Sequence, residues 1–204
     1  LVGVTGSTSN TLSWMVTPLS HTNLNFRCIV TGANGCATTS NVALLNVNPT
    51  PTVGSVSANQ AICIGGFPDD DITVSSANGT IQWQQADNTG FTANLTNLGT
   101  NSTTLTIAEI GELTTTKYCR AVVSSGACTS VTSGTIAVAA ATTTWTSAAG
   151  GSWSNGAPNS KTAAVISYDY TSLEDLNACS LTVTNGANVI MSSGDNINLF
   201  GALT

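Results

Sequence analysis

The chain has 204 residues, of which only 7% are charged and 41% are hydrophobic, with a formal net charge of −6. Its four basic residues, Arg27, Lys117, Arg120 and Lys161, form no run, which argues against nucleic-acid partners because phosphate contacts need clustered cations. No apolar stretch is long enough to span a membrane as a helix. A Ser-, Thr- and Asn-rich composition with many β-branched residues and no sustained 3.6-residue period predicts an all-β fold.

In chain order, residues 1–48 read as the C-terminal half of a sandwich. A strand is expected over 11–16, a corner over 20–24, and a closing hairpin of 25–31 and 37–47 around Gly32-Ala33-Asn34-Gly35. The phrase Phe26-Arg27-Cys28-Ile29-Val30 through Gly35-Cys36 recurs ninety-two positions later as Tyr118-Cys119-Arg120-Ala121-Val122 through Ala127-Cys128. That period is about one immunoglobulin-like sandwich, so tandem Ig-like domains are predicted. Residues 7–13 match residues 101–107 of the second copy, so the chain is expected to begin half-way through a domain. The missing strands would come from upstream residues or from another polypeptide.

Asn48-Pro49-Thr50-Pro51-Thr52 predicts a short, stiff linker at 49–52, since proline fixes φ and removes a ladder donor. A complete Ig-like sandwich is expected over 53–141, with strands at 72–74 and 80–85. Trp83 and Tyr118 stand at the core-tryptophan and corner-tyrosine positions of such a domain. Residues 142–204 change texture: short apolar runs such as Ala178-Cys179-Ser180-Leu181-Thr182-Val183 alternate with turns such as Asn185-Gly186-Ala187 and Gly201-Ala202. Strands at roughly eight-residue spacing predict the opening coils of a β-solenoid-like or further β domain that continues past Thr204.

Six cysteines with no C-x-x-C pair, and a single histidine, disfavour zinc and point to disulfides in an oxidising, extracellular setting. By the ninety-two-residue offset Cys36 matches Cys128; Cys28 and Cys36 either close across their own hairpin, or Cys28 or Cys119 stays unpaired. Cys179 has no evident partner. Asp69-Asp70-Asp71 offers hard oxygen ligands for Ca²⁺ at a domain edge, or else is a solvated loop after Pro68; no other cofactor is expected. Trp145 and Trp153, with Tyr168 and Tyr170, either form a platform on which sugars stack or fill the end of the solenoid. His21 has no nucleophile or acid in triad order around it. Glu109, Glu112, Glu174 and Asp175 are too scattered for paired acid–base work. No catalytic residue is assigned, and the chain reads as a non-enzyme.

Ile62-Cys63-Ile64-Gly65, Thr80-Ile81-Gln82-Trp83-Gln84, the Thr-Thr-Leu-Thr run at 103–106, Ile110-Gly111-Glu112-Leu113-Thr114 and Tyr118 through Cys128 together carry a family likeness. Over nearly all of 53–139 the chain resembles the repeats of giant cell-surface proteins of Bacteroidota, many of them gliding-motility adhesins exported by type IX secretion. The resemblance implies that the early Cys pairs with the Cys after Ser-Gly, here Cys63 with Cys128, a closure worth on the order of 4 kcal/mol. Where that family more often has an aromatic, this chain has Cys119. Residues 145–204 resemble another module of the same proteins. The implied function is that of an exported cell-surface adhesin or filament, a stalk acting in attachment or motility beside other β domains of one long polypeptide. A surface polysaccharide or protein would be its ligand. Two other readings stay open: non-catalytic carbohydrate-binding modules of a secreted polysaccharide-degrading enzyme, and a sheath subunit that polymerises by strand exchange.

Overall fold

The computed structural model describes residues 4–5, 8–14, 19–147, 150–184 and 186–201. Positions 15–16 of the expected first strand, Asn185 and the turn at 202–203 fall outside them. The fold is all-β. Among the described residues the one α-helix is a single turn, and no helix is long and apolar enough to cross a membrane.

The first unit consists of two-stranded ladders. β1 (Val4–Thr5) pairs with β2 (Ser13–Trp14), and a 3₁₀ turn at Leu19–His21 leads into β3 (Leu24–Phe26). β4 (Ile29–Thr31) pairs with β5 (Ala37–Thr39), and β6 (Ala43–Leu45) returns to β3. The single strand expected over 25–31 is therefore split, because Leu24 opposes Leu45 while Ile29 opposes Thr39. None of the described residues in 8–50 whose burial is given is buried. Ile29 and Leu44 are 55% and 63% exposed, whereas their counterparts ninety-two positions on, Ala121 and Ile136, are 0% and 1% exposed. The counterparts belong to one core with Ile62, Ile72, Trp83 and Leu105; no described strand brings such side chains over Ile29 and Leu44.

The second unit runs through β7 (Thr52–Val53), β8 (Gln60–Ile62), β9 (Ile72–Thr73), β10 (Ala77–Asn78), β11 (Thr80–Ala86), β12 (Thr96–Leu98), β13 (Thr104–Leu105), helix α1 (Ile107–Ile110), β14 (Lys117–Ser125), β15 (Cys128–Thr132) and β16 (Ile136–Trp145). The main sheet has the order β12-β11-β14-β16, with β15 added to β14 and β8 added in parallel to β16. β14 alternates, as a half-buried strand must: Cys119, Ala121, Val123 and Ser125 turn inward while the residues between them are half-exposed. The β9–β13 pair contributes Ile72 and Leu105 to the same core. Trp83 is fully buried, and its indole N–H donates to the Ser102 carbonyl at 3.0 Å, so its one polar atom is satisfied. Thr106 and Glu109 form a capping box at the start of α1. The linker lies against this unit: Pro51 is buried, Asn78 donates to the Thr50 carbonyl at 3.3 Å, and Asn48 sits over the β14–β15 hairpin tip. A Cβ on Gly126, where φ is +53°, would stand 2.1 Å from the Asn48 side chain, so that close approach requires glycine.

β16 does not stop at the edge of this unit. Its first part pairs with β14 and β8, and Ala141 to Trp145 then pairs in parallel with β17 (Thr162–Ile166). The boundary drawn at 141/142 thus falls inside a continuous strand. Next come β18 (Tyr170–Thr171), β19 (Leu176–Ala178), β20 (Leu181–Val183), β21 (Val189–Ile190) and β22 (Ile197–Leu199). β20 pairs in parallel with β17, β21 with β18, and β22 with β19, each residue facing a partner 17 to 21 positions along. Ala164, Ile166, Tyr170, Leu176, Ala178 and Leu181 fill the interior between these ladders. Asp169 and Asp175 each accept the backbone N–H of an asparagine one coil on, Asn188 at 2.8 Å and Asn196 at 2.7 Å, and Asn198 donates to Asn177 at 3.0 Å. These carboxylates link successive coils, Asp175 among them, which reads in sequence as one of several scattered acids.

Candidate functional site

Two features set this molecule apart from a string of independent β modules: the covalent junction between its second and third units, and a groove beside that junction. The junction is built where β8 and β19 end. Ile62 lies opposite Ala140 on β16, which carries Cys63 to the end of the second unit that meets the coils. Cys179 follows β19, is 3% exposed, and is held by its N–H donating to the Thr162 carbonyl at 2.9 Å. The two cysteines form a disulfide with their Cα atoms 5.4 Å apart and 116 positions apart in sequence. Gly201 crosses directly above it; a Cβ there would lie 2.7 Å from the Cys179 carbonyl and 3.3 Å from the Cys63 sulfur, so a larger residue would force the chain off the bridge. Lys161 forms an ion pair with Asp69, a second tie between the same two units.

This pairing corrects the expected Cys63–Cys128 bridge. Cys128 opens β15 at the hairpin tip beside Asn48, with Ser125 as its register partner. Cys63 lies at the far end of the sheet, level with residues beyond Ala140. About eleven residue levels separate them, on the order of 30 Å along the strands, where a disulfide needs Cα atoms within about 7 Å. Cys28 and Cys36 are also unbridged. Ile29 opposes Thr39 and Gly32 bonds to the Cys36 carbonyl, so Cys28 comes level with Ser40, four residues from Cys36. Cys119 is a core side chain of β14, and burial raises its thiol to about 11, partly offset by a hydrogen bond with Gln85. It stays protonated at neutral pH and packs as a small apolar group.

The three aspartates are engaged separately. Asp69 pairs with Lys161, the Asp71 carboxylate accepts the N–H of Ile107 at 2.8 Å and so helps cap α1, and the backbones of Asp69 and Asp70 are held by the Gln60 side chain. Among the described residues, no three His, Cys, Asp or Glu side chains are grouped to hold a metal ion. His21 is half-buried in the 3₁₀ turn.

Trp145, Trp153 and Tyr170 come together at the first coil. Their ring centroids are 5.0 to 5.6 Å apart, with Trp145 edge-on to both others. Tyr168, by contrast, is 51% exposed and takes no part in these ring contacts. Trp153 forms an isolated backbone bridge with Trp145, and Gly151 lies close against the Trp145 ring. Around Trp153 lie two cavities of about 340 and 350 Å³ that share Trp153, Ala157, Tyr170 and Glu174. The Tyr170 hydroxyl is raised above its ordinary value, first by burial and then by the negative charges of Glu174 and Asp195. Sequence reading picked out Trp145 and Trp153; it missed Glu174 as their neighbour, because the carboxylate arrives from the β18–β19 turn one side of the coil later.

Compared with known proteins, residues 52–142 match the model of a domain of unknown function (DUF8696), a segment that starts in β7 and ends within β16. No curated protein and no solved structure matches the chain.

Proposed function

We propose that this chain is a non-catalytic, load-bearing element of an exported cell-surface adhesin or filament, in which sandwich-like and solenoid-like modules are fused into one stalk. The observation that carries this reading is the Cys63–Cys179 disulfide across a junction that β16 already spans without a break. Tension entering before Cys63 and leaving after Cys179 crosses the sulfur–sulfur bond and leaves the segment between them, whose ends are 116 positions apart, unloaded. A disulfide fits an oxidising compartment, and a low-charge Thr- and Asn-rich exterior fits weak, repeated contacts with other surfaces. The likeness of residues 53–139 to exported surface repeats of gliding bacteria points the same way.

The reading is tested with an antibody against residues 53–141 on intact cells of the source organism. Labelling of unpermeabilised cells that disappears on external protease treatment, on a polypeptide far longer than 204 residues, is the expected result. Antigen confined to the cytoplasm contradicts export. A short secreted polypeptide that assembles into fibres shifts the reading to a strand-exchanging subunit, for which the exposed Ile29, Val30, Val42 and Leu44 side chains would be the accepting face.

A further inference from the structure

We infer that the groove around Trp153 is a binding site for a neutral, pyranose-containing saccharide. The groove consists of the two cavities, of about 340 and 350 Å³, that meet at Trp153, Ala157, Tyr170 and Glu174. Trp153 packs against Trp145 at an interplanar angle of 64° and against Tyr170 at 53°, and those two rings also touch each other, so its orientation is set before any ligand arrives. It remains half-buried, with part of its surface open to the groove. At the rim Leu173 is 92% exposed, the most solvent-exposed large apolar side chain of the described residues. Glu174 lines both cavities and Asp175 one of them. Asp175 is fixed by its bonds from Asn196, at 2.7 Å from the backbone and 3.3 Å from the side chain.

An apolar platform beside two carboxylate acceptors, of which Asp175 is held by Asn196, matches one ligand chemistry closely. A pyranose ring presents C–H groups on its face and hydroxyl donors at its edge, so the face can lie on the indole while the hydroxyls donate to Glu174 and Asp175. Other classes fit worse. No Lys or Arg lines either cavity, so an anionic sugar or a phosphate would meet only negative charge. A wholly apolar ligand would strip water from two carboxylates without replacing its hydrogen bonds. A quaternary ammonium needs rings spread around it, whereas these rings pack directly on one another. The site also lies between Cys63 and Cys179, so on the load path proposed above it stays folded under tension; its existence does not depend on that path.

The test is titration of the oxidised 204-residue chain with cellohexaose, laminarihexaose and mannohexaose, followed by calorimetry and tryptophan fluorescence, with hexagalacturonate and choline as controls. Saturable binding of at least one neutral hexaose is expected, weakened about tenfold or more by W153A and several-fold by E174Q, with neither control bound. Because W153A also removes packing around Tyr170, E174Q provides the second reading: Glu174 is exposed, and its variant should melt like the parent. Absence of binding to all three hexaoses overturns the inference, as does binding unchanged in both variants, or binding of choline alone.

Discussion

The double variant C63S/C179S should lose about 2–5 kcal/mol of unfolding free energy, and the parent protein under reducing conditions should behave the same way. The bridge closes a loop of 116 residues, for which the chain-entropy estimate is on the order of 5 kcal/mol, and native strain or residual denatured structure can only reduce that figure. The loss should not be uniform. Without the bridge, the parallel coils are attached to the second unit through β16–β17 pairing, the Lys161–Asp69 pair and side-chain packing alone, and exposed ion pairs contribute little. Urea unfolding followed separately at the coils and at the Trp83 core should therefore split into two transitions, the coils first. A single, unshifted transition in the variant would show that the bridge does not couple the two units.

Replacing Trp83 with alanine should cost about 3–5 kcal/mol, the usual range for emptying a large aromatic site in a core. Trp83 is 0% exposed and touches the central cluster from β11, the strand with the longest pairing in the molecule, seven residues against β14. W83F should cost less, about 1–3 kcal/mol, because it keeps most of the packing but leaves the Ser102 carbonyl without its 3.0 Å donor. Denaturant midpoints for the two variants check the order. A W83A loss below about 1 kcal/mol would contradict the placement of this side chain at the centre of the core.

The all-β fold was legible because period-two alternation is a local signal. It is plain in Lys117–Ser125, where Cys119, Ala121 and Val123 point inward, and in Thr80–Ala86 around Trp83. The capping box Thr106-x-x-Glu109 is an equally local signal, but a single helical turn makes no 3.6-residue pattern to frame it. The split of 25–31 between two partners was not readable, because register is set by distant strands. Nor was the bridge. Cys63 and Cys179 meet only because β16 runs on through Ala139-Ala140-Ala141-Thr142-Thr143-Thr144, a stretch of small residues that reads like a spacer. Those small side chains let β8 and β17 lie alongside the same strand in succession. Thr143, fully buried, is satisfied there by donating to the Gly156 carbonyl at 2.9 Å and accepting the Asn155 N–H at 3.1 Å. The aromatic candidates were visible as residue types, but their acidic neighbour Glu174 was not, since coil geometry brings together positions that local patterning keeps apart.

The load path is tested most directly by pulling the 204-residue chain between its ends in a single-molecule force instrument, with and without reductant. Oxidised, it should release only the length of residues lying before Cys63 and after Cys179, and the segment between should stay hidden. Reduced, the same chain should yield roughly 400 Å more, the extended length of a 116-residue loop at up to about 3.6 Å per residue. Equal extensions in the two conditions would contradict the account, because the force would then not be passing through Cys63 and Cys179.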